Sequence, residues 1–226
     1  RGLGDVYKRQ GFTGSTFPLA KQFLEMGYAV DIYLFYYISF SELEAFNCSY
    51  QSSKYGVEEI AVNNWIEMFS YFGESDSVRL FSLKMPRPYE RIPIVRNVIG
   101  WYSDYYATKS SSFINEQNYE IVNIIGGYYS CEYLPFLKKL NCKIVVSLHE
   151  VCNHFHPDFS KPSPLLKYLF KSSIDIIIYS DNSLCDIFNY KDIKREKIHR
   201  LNFGLFETYK TCLLYTSPSP RDGATS

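Results

Sequence analysis

KIVVSLHEVCNHFHPDFSKPSPLLKYLFKSSIDIIIYS, residues 143–180, is the stretch that decides the fold. Lys143 to Leu148 (KIVVSL) is a short β-branched run that predicts a strand, and Ile174 to Tyr179 (IDIIIY) predicts another. Between them a polar loop, His149 to Pro164, leads into a basic amphipathic helix over Leu165 to Lys171. Strand, helix and strand in that order form a βαβ unit, whose two strands lie parallel. A run as apolar as IDIIIY suits a strand in a sheet covered by helices on both sides.

The same alternation extends outward. Glu120 to Ile125 predicts a strand ending in Gly126-Gly127, followed by a helix over Ser130 to Leu140. Downstream come a short helix, Ser183 to Tyr190, and a strand, Lys197 to Leu201. In the first half, Phe17 to Met26 predicts a helix stopped by Gly27, then a strand at Ala29 to Tyr36. Ile60, Ala61, Trp65, Met68, Phe69 and Phe72 fall at helical spacing, so Glu58 to Phe72 is expected to be one amphipathic helix. Val78 to Leu83 predicts a strand, Met85 to Pro88 a breaker, and Ile94 to Lys109 an aromatic-rich helix. The expected class is α/β, a doubly wound parallel sheet of Rossmann-like kind.

The two ends of the chain are not native text. RGLGDVYKRQ, residues 1–10, and CLLYTSPSPR, residues 212–221, are translations of opposite strands of one DNA string. That string resembles the transposase adapter used to build sequencing libraries. Residues 1–10 and 212–226 are therefore set aside as adapter-derived, and 11–211 is the expected domain, cut at both ends, with its first strand lost. Without Arg1, Lys8, Arg9, Arg221, Asp5 and Asp222, the 24 basic and 24 acidic residues become 20 and 22. So balanced a charge gives no nucleic-acid footprint. With 46% hydrophobic and 18% aromatic residues the chain has ample core material.

Cys48, Cys131, Cys142, Cys152 and Cys185 remain once Cys212 is removed. An odd number with no CxxC predicts neither a disulfide framework nor a zinc site, and buried free thiols are expected. The longest apolar run, Ile32 to Phe40, is too short to span a bilayer.

Two places carry candidate chemistry. GFTGST, Gly11 to Thr16, precedes the first predicted helix, where a small-residue turn bares N–H groups toward an anion such as phosphate. It is also readable as an ordinary tight turn. A dinucleotide fingerprint wants a small residue at position 17 and an acid near the end of the next strand; Phe17, Tyr36 and Tyr37 stand there, and Asp31 comes too early. His149-Glu150 follows the KIVVSL strand at the carboxyl edge of the sheet, where open α/β sheets bind ligands. A histidine there can exchange hydrogen bonds with a sugar hydroxyl or a phosphate oxygen. His154 and His156 share the loop, but their spacing is not that of a zinc site, and no metal is expected. Solvated loop histidines are the plainer alternative. Tyr105 and Lys109 form YxxxK, an inexpensive coincidence in a chain with 21 tyrosines.

Four segments resemble, in order, the N-terminal domain of family 4 glycosyltransferases. GFTGSTFPLAKQFLEMGYAVDIYLF is similar to the opening loop, helix and strand; KIVVSLHE to a strand ending in histidine and an acid; IDIIIYSDNSLCDIF to a strand ending in serine before a helix; KIHRLNFGLFETY to the approach to the interdomain linker. The first loop lacks the family's usual glycine pair, and Asn202 stands where proline or histidine is frequent.

The resemblance implies the acceptor-side half of a GT-B architecture, with the donor-binding E-x7-E motif in a second domain beyond Thr211. It implies metal-independent glycosyl transfer, usually retaining, without a cofactor; a nucleotide sugar is the co-substrate. Gly14, Ser15 and Thr16 would lie near the donor phosphates, and His149 would face the acceptor or the transferred sugar as the catalytic residue. Glu150 and His154 would help bind substrate, and Gly204 would let the chain turn toward the second domain. The implied acceptor is a glycan or a lipid-linked glycan of bacterial surface polysaccharide. The implied location is the cytoplasm, at the inner face of the membrane, where Lys161, Lys167 and Lys171 would touch lipid if they are not simply a solvated helix face. The alternatives are a nicotinamide-dependent short-chain oxidoreductase, resting on GFTGST with Tyr105 and Lys109, and a nucleotide- or sugar-binding module without turnover.

Overall fold

The computed structural model describes residues 12–36, 54–86, 93–126, 134–152, 159–190 and 193–201. Both ends set aside above, residues 37–53 with Cys48, and Cys131, His154, His156, Asn202 and Gly204 lie outside them.

The fold is α/β. Helix α1 (Phe12–Glu25) leads to β1 (Val30–Tyr36); β2 (Gly56–Glu59), a 3-10 turn (Val62–Asn64), α2 (Ile66–Tyr71) and β3 (Val78–Lys84) follow. Then come α3 (Pro93–Glu116), β4 (Ile121–Gly126), α4 (Leu134–Leu137), β5 (Lys143–Leu148), α5 (Pro164–Lys171), β6 (Asp175–Ile178), α6 (Asp181–Phe188) and β7 (Ile198–Arg200). Strands β4-β5-β6-β7 form a parallel sheet in sequence order. The other sheet runs β1-β3-β2, with β1 parallel and β2 antiparallel to β3.

The second half follows its sequence closely, except that the helix expected over Ser130 to Leu140 is, among the described residues, the single turn Leu134–Leu137. Ser163 accepts a hydrogen bond from the Leu166 N–H and caps α5, and Pro164 sits where a helix needs no N–H. Leu165, Leu166, Leu169 and Phe170 are buried, while Lys161, Lys167 and Lys171 are exposed. The apolar face of α5 is thus spent in the core, and its lysines form a solvated face. Alternate sheet residues Val146, Leu148, Ile176 and Ile178 are fully buried with them. Their neighbours Val145, Ile177 and Tyr179 are only half-buried, so IDIIIY is not equally covered on its two faces.

Three expectations are corrected in the first half. Glu58 to Phe72 is not one helix: Gly56–Glu59 pairs with β3, and only Ile66–Tyr71 is α-helical. Ile60, Trp65 and Phe72 do share a core, so the spacing reported burial rather than backbone. The Trp65 indole N–H donates to the Ile60 carbonyl at 2.9 Å, a bond across the bend that one continuous helix would not make. The first helix begins at Phe12, not Phe17, so Gly14, Ser15 and Thr16 lie inside it. Small polar residues suit a first turn as well as a loop, because its N–H groups have no helical partner. Pro18 is tolerated within that helix. Finally, α3 runs to Glu116, past the expected end at Lys109: Ser111 returns its hydroxyl to the Ala107 carbonyl at 2.7 Å and so hides its polar group inside the helix. Asn118, at φ 56°, then ends the helical path.

The helices lie on opposite faces. Ile32 and Leu34 of β1 and Val78 and Leu80 of β3 pack with Phe17 and Ala20 from α1 and with Trp65 and Phe72, which flank α2. The intervening Tyr33 and Phe35 join the core of Leu83, Ala107 and Ile114, continuous with that under β4–β6. Tyr33 stacks on Phe81, which meets Phe113 of α3 edge-on. At the amino ends of these strands Arg79 makes a bidentate pair with Asp31 at 2.8 and 2.5 Å. The Tyr119 hydroxyl also donates to Asp31 and lies 2.8 Å from the Tyr33 hydroxyl. Burial pushes the Tyr33 phenol up to about 12, and burial with the Asp31 carboxylate raises Tyr119 strongly. Both therefore stay neutral donors.

Candidate functional site at the carboxyl edge of the parallel sheet

Strands β4, β5 and β6 end in register at Gly126, Leu148 and Ile178, and the next residues of β5 and β6 are His149 and Tyr179. The His149 N–H continues the ladder by donating to the Gly126 carbonyl at 3.0 Å, so the histidine backbone is fixed as part of the sheet. Its own carbonyl accepts from the Ser183 hydroxyl at 3.2 Å. Ser183 belongs to the first turn of α6, whose cap is Ser180: the Ser180 Oγ accepts from the Ser183 N–H at 3.0 Å and lies 2.9 Å from the Ser183 hydroxyl. The sequence pattern puts Ser180 at a helix start, and the helix puts Ser183 over β5.

The side chains form a second layer. The His149 ring lies 5.2 Å from that of Tyr179, tilted by 41°. The Tyr179 hydroxyl bonds Ser147, and burial raises its pKa. Ser147, fully buried, donates to the Asn123 side-chain oxygen at 2.9 Å. Asn123, Ser147, His149 and Tyr179 thus make a polar row on the half-buried face, rising to the carboxyl edge. Burial lowers the His149 pKa to about 4. At neutral pH the ring is uncharged, one nitrogen a donor and the other an acceptor. Such a ring suits a hydroxyl better than it suits a phosphate.

Glu150 is half-buried beside His149, and its charge helps to raise the nearby Cys152 thiol. Cys152 is pushed up to about 11, mainly by burial, and its Sγ lies 3.3 Å from an Asp186 carboxylate oxygen. It is an inert thiol rather than a nucleophile. Of the other free thiols, Cys142 is half-buried, but Cys185 is exposed, against the expectation of buried cysteines. Gly14 and Ser15 lie in the first turn of α1, with Thr16 half-buried just beyond. His154 lies outside the described residues. Tyr105 and Lys109 lie one turn apart on α3, both exposed. Among the described residues no group of three or more His, Cys, Asp or Glu is placed to hold a metal, and no helix is long and apolar enough to cross a membrane.

Tyr179, Ser147 and Asn123 escaped sequence reasoning. Their one signal was parity: each shares the His149 face under period-two alternation. A groove of about 290 Å³ lies at the other end of the strands, lined by Leu140, Cys142, Lys143, Tyr168 and Asp175 among others. It opens at the amino edge, away from His149, where parallel sheets do not place their ligands.

No family model, curated protein or solved structure matches the chain.

Proposed function

We propose that residues 11–211 are the acceptor-side domain of a nucleotide-sugar-dependent glycosyltransferase, one half of a GT-B enzyme. The observation that carries this reading is an uncharged, half-buried histidine fixed at the carboxyl edge of a parallel sheet. A neutral imidazole backed by Tyr179 can bind a sugar hydroxyl without drawing the donor phosphates into the acceptor pocket. His149 would hold a hydroxyl of the acceptor or of the transferred sugar as positive charge develops at the anomeric carbon. Glu150, half-buried beside it, would help to bind the substrate, as would His154, which lies outside the described residues. The first N–H groups of α1, at Gly14 and Ser15 with Thr16 beyond, would meet the donor phosphates. The donor itself would be held mainly by a second domain, and no cofactor takes part. A glycan or lipid-linked acceptor at the inner face of a bacterial membrane completes the reading.

The uncut reading frame tests it first. It is expected to continue past Thr211 into a second Rossmann-like domain with E-x7-E; a stop codon shortly after Tyr209 rejects the proposal. In the full-length enzyme, His149→Ala is expected to lower sugar transfer by about 100-fold, the scale of removing one directed hydrogen bond at a reacting centre. Binding of the nucleotide sugar should be retained. Undiminished transfer would remove His149 from the site.

A further inference from the structure

The amino-terminal half of α3 carries its aromatic residues on the outside. Val98, Trp101, Tyr102 and Tyr105 are exposed, while Ala107, Ser110 and Ile114 are buried. Val98, Trp101, Tyr105 and Lys109 recur every three or four residues and so form one outward crest along the helix. Tyr102 flanks the crest and extends it through Tyr106 to Tyr55, just before β2; successive rings lie 5.1 to 6.5 Å apart. The two tryptophans of the chain show the contrast, Trp65 being 3% exposed and Trp101 69%. Single exposed rings are ordinary, but a contiguous patch marks an interaction surface.

The chemistry of the patch narrows its occupant. Tryptophan and tyrosine each join an apolar body to one polar group, which suits a boundary between lipid and water. Lysines stand around the rings: Lys54 precedes Tyr55, the Lys84 Nζ lies 5.5 Å from the centre of the Tyr55 ring, and Lys109 continues the crest. Asp104, beside the rings, is bound to Lys139 at 3.0 Å, and Glu116 lies about 16 Å beyond Tyr105 along the helix. The balance of charge at the patch is therefore positive and complements an anionic surface. A sugar platform would need rings in a common plane, but neighbouring rings here are tilted by 42° to 85°. We propose that this crest of α3, with Tyr55 and Lys84, docks the protein on an anionic lipid surface. The rings enter the headgroup layer, and Lys54, Lys84 and Lys109 meet the lipid phosphates. Because α3 is not apolar enough to cross a bilayer, it rests on one. The surface is distinct from the lysine face of α5, whose rings, Tyr168 and Phe170, are half-buried and buried. The inference holds whatever reaction the protein performs.

Flotation of the full-length protein with lipid vesicles tests the proposal. Vesicles of phosphatidylcholine and phosphatidylglycerol, about three to one, are expected to carry the protein up a density gradient, and high salt should weaken the binding. Trp101→Ser combined with Tyr105→Ser should weaken it by about tenfold or more. Both residues are exposed, so the core stays intact, and Trp101→Ser alone should act in the same direction. Lys167→Glu combined with Lys171→Glu should weaken binding less than the α3 pair does. No flotation of the wild type overturns the proposal, as does flotation that the α3 pair leaves unchanged. A larger loss from the α5 pair overturns it by moving the lipid contact to that helix. Binding as strong to phosphatidylcholine alone overturns the part given to the lysines. If the wild type stays in solution as a dimer that the α3 pair makes monomeric, the crest is instead an interface between two copies. Retardation on a dextran gel that Trp101→Ser abolishes, without flotation, would make it a glycan platform. Loss or retention of sugar transfer bears only on the proposed function.

Discussion

The β4–β7 sheet and the β1–β3 sheet are built by different means. The first is a run of βαβ units in sequence order, buried deeply on one face and carrying a polar row on the other. The second is a mixed sheet of three strands, with apolar cores on both faces and an ion pair across its parallel strands. The parallel sheet leaves a polar face that chemistry can use; the mixed sheet spends both faces on packing. Candidate function therefore gathers at the end of β5, while Tyr33, Phe81, Phe113 and Tyr119 join the halves.

The sharpest way to break that contrast is to empty the deep face. Leu148 is fully buried among Val146, Ile178 and the helices above them. Leu148→Ala should cost about 2–5 kcal/mol through lost burial and the cavity left behind. Urea denaturation of residues 11–211 measures it. Ile177→Ala, on the half-buried face next door, should cost less than half as much. Equal costs would mean that both faces are core, and that the polar row is incidental.

The join between the halves comes next. The Asp31 side chain is only 7% exposed, whereas Arg79 is 44% exposed and can return to water. Arg79→Ala strands the nearly buried Asp31 carboxylate without its counter-ion and should cost about 2–3 kcal/mol, with Asp31→Ala costing less, because the arginine returns to water and the Tyr33 hydroxyl stays within reach of Tyr119. If Asp31→Ala is the more damaging, Asp31 is held by the Tyr119 hydrogen bond rather than by its ion pair.

The contrast also explains what the sequence could tell. In residues 143–180 local pattern and tertiary need agree: the β-branched strands and the serine-capped amphipathic helix each form the element their pattern points to. The parallel α/β class was legible from them, as was the place of His149. In residues 56–72 they disagree, because a strand, a bend and one short helix together bring Ile60, Trp65 and Phe72 to one core. Periodicity records which residues meet the core and is blind to the bend between them. The polar row of the candidate site was hidden for a related reason. Asn123, Ser147 and Tyr179 come from three strands, and only strand register brings them together.

His149 supplies a smaller effect with a definite sign. Its pKa is depressed to about 4 in the folded chain against about 6.5 when unfolded. Above pH 6.5 the ring is neutral in both states and stability is unaffected. As the pH falls toward 4 the unfolded chain takes the proton first, so stability declines across that window and levels off below it. With the ring only half-buried, the decline should reach about 1–2 kcal/mol. His149→Gln should remove that part of the pH dependence. A His149 resonance titrating near 6.5 would show the ring to be open to solvent and the polar face of the sheet no different from a surface.

The smallest effects separate a cap that only builds the fold from one that also sets the site. Ser163 and Ser180 each cap an eight-residue helix of the β4–β7 half through a side-chain oxygen. Replacing either with alanine should cost about 1 kcal/mol, since each leaves one helix N–H unsatisfied. They differ in what lies behind the cap. Ser163 bonds the Leu166 N–H at the start of α5, whose inner face is wholly apolar. Ser180 lies against the Ser183 hydroxyl, which in turn donates to the carbonyl of His149. Ser180→Ala should therefore shift the His149 titration followed by NMR, and Ser163→Ala should leave it in place at the same loss of stability. Identical titrations in the two variants would mean that the ladder bond to Gly126 and the Tyr179 ring hold the histidine unaided, and that α6 is only a cover for β6.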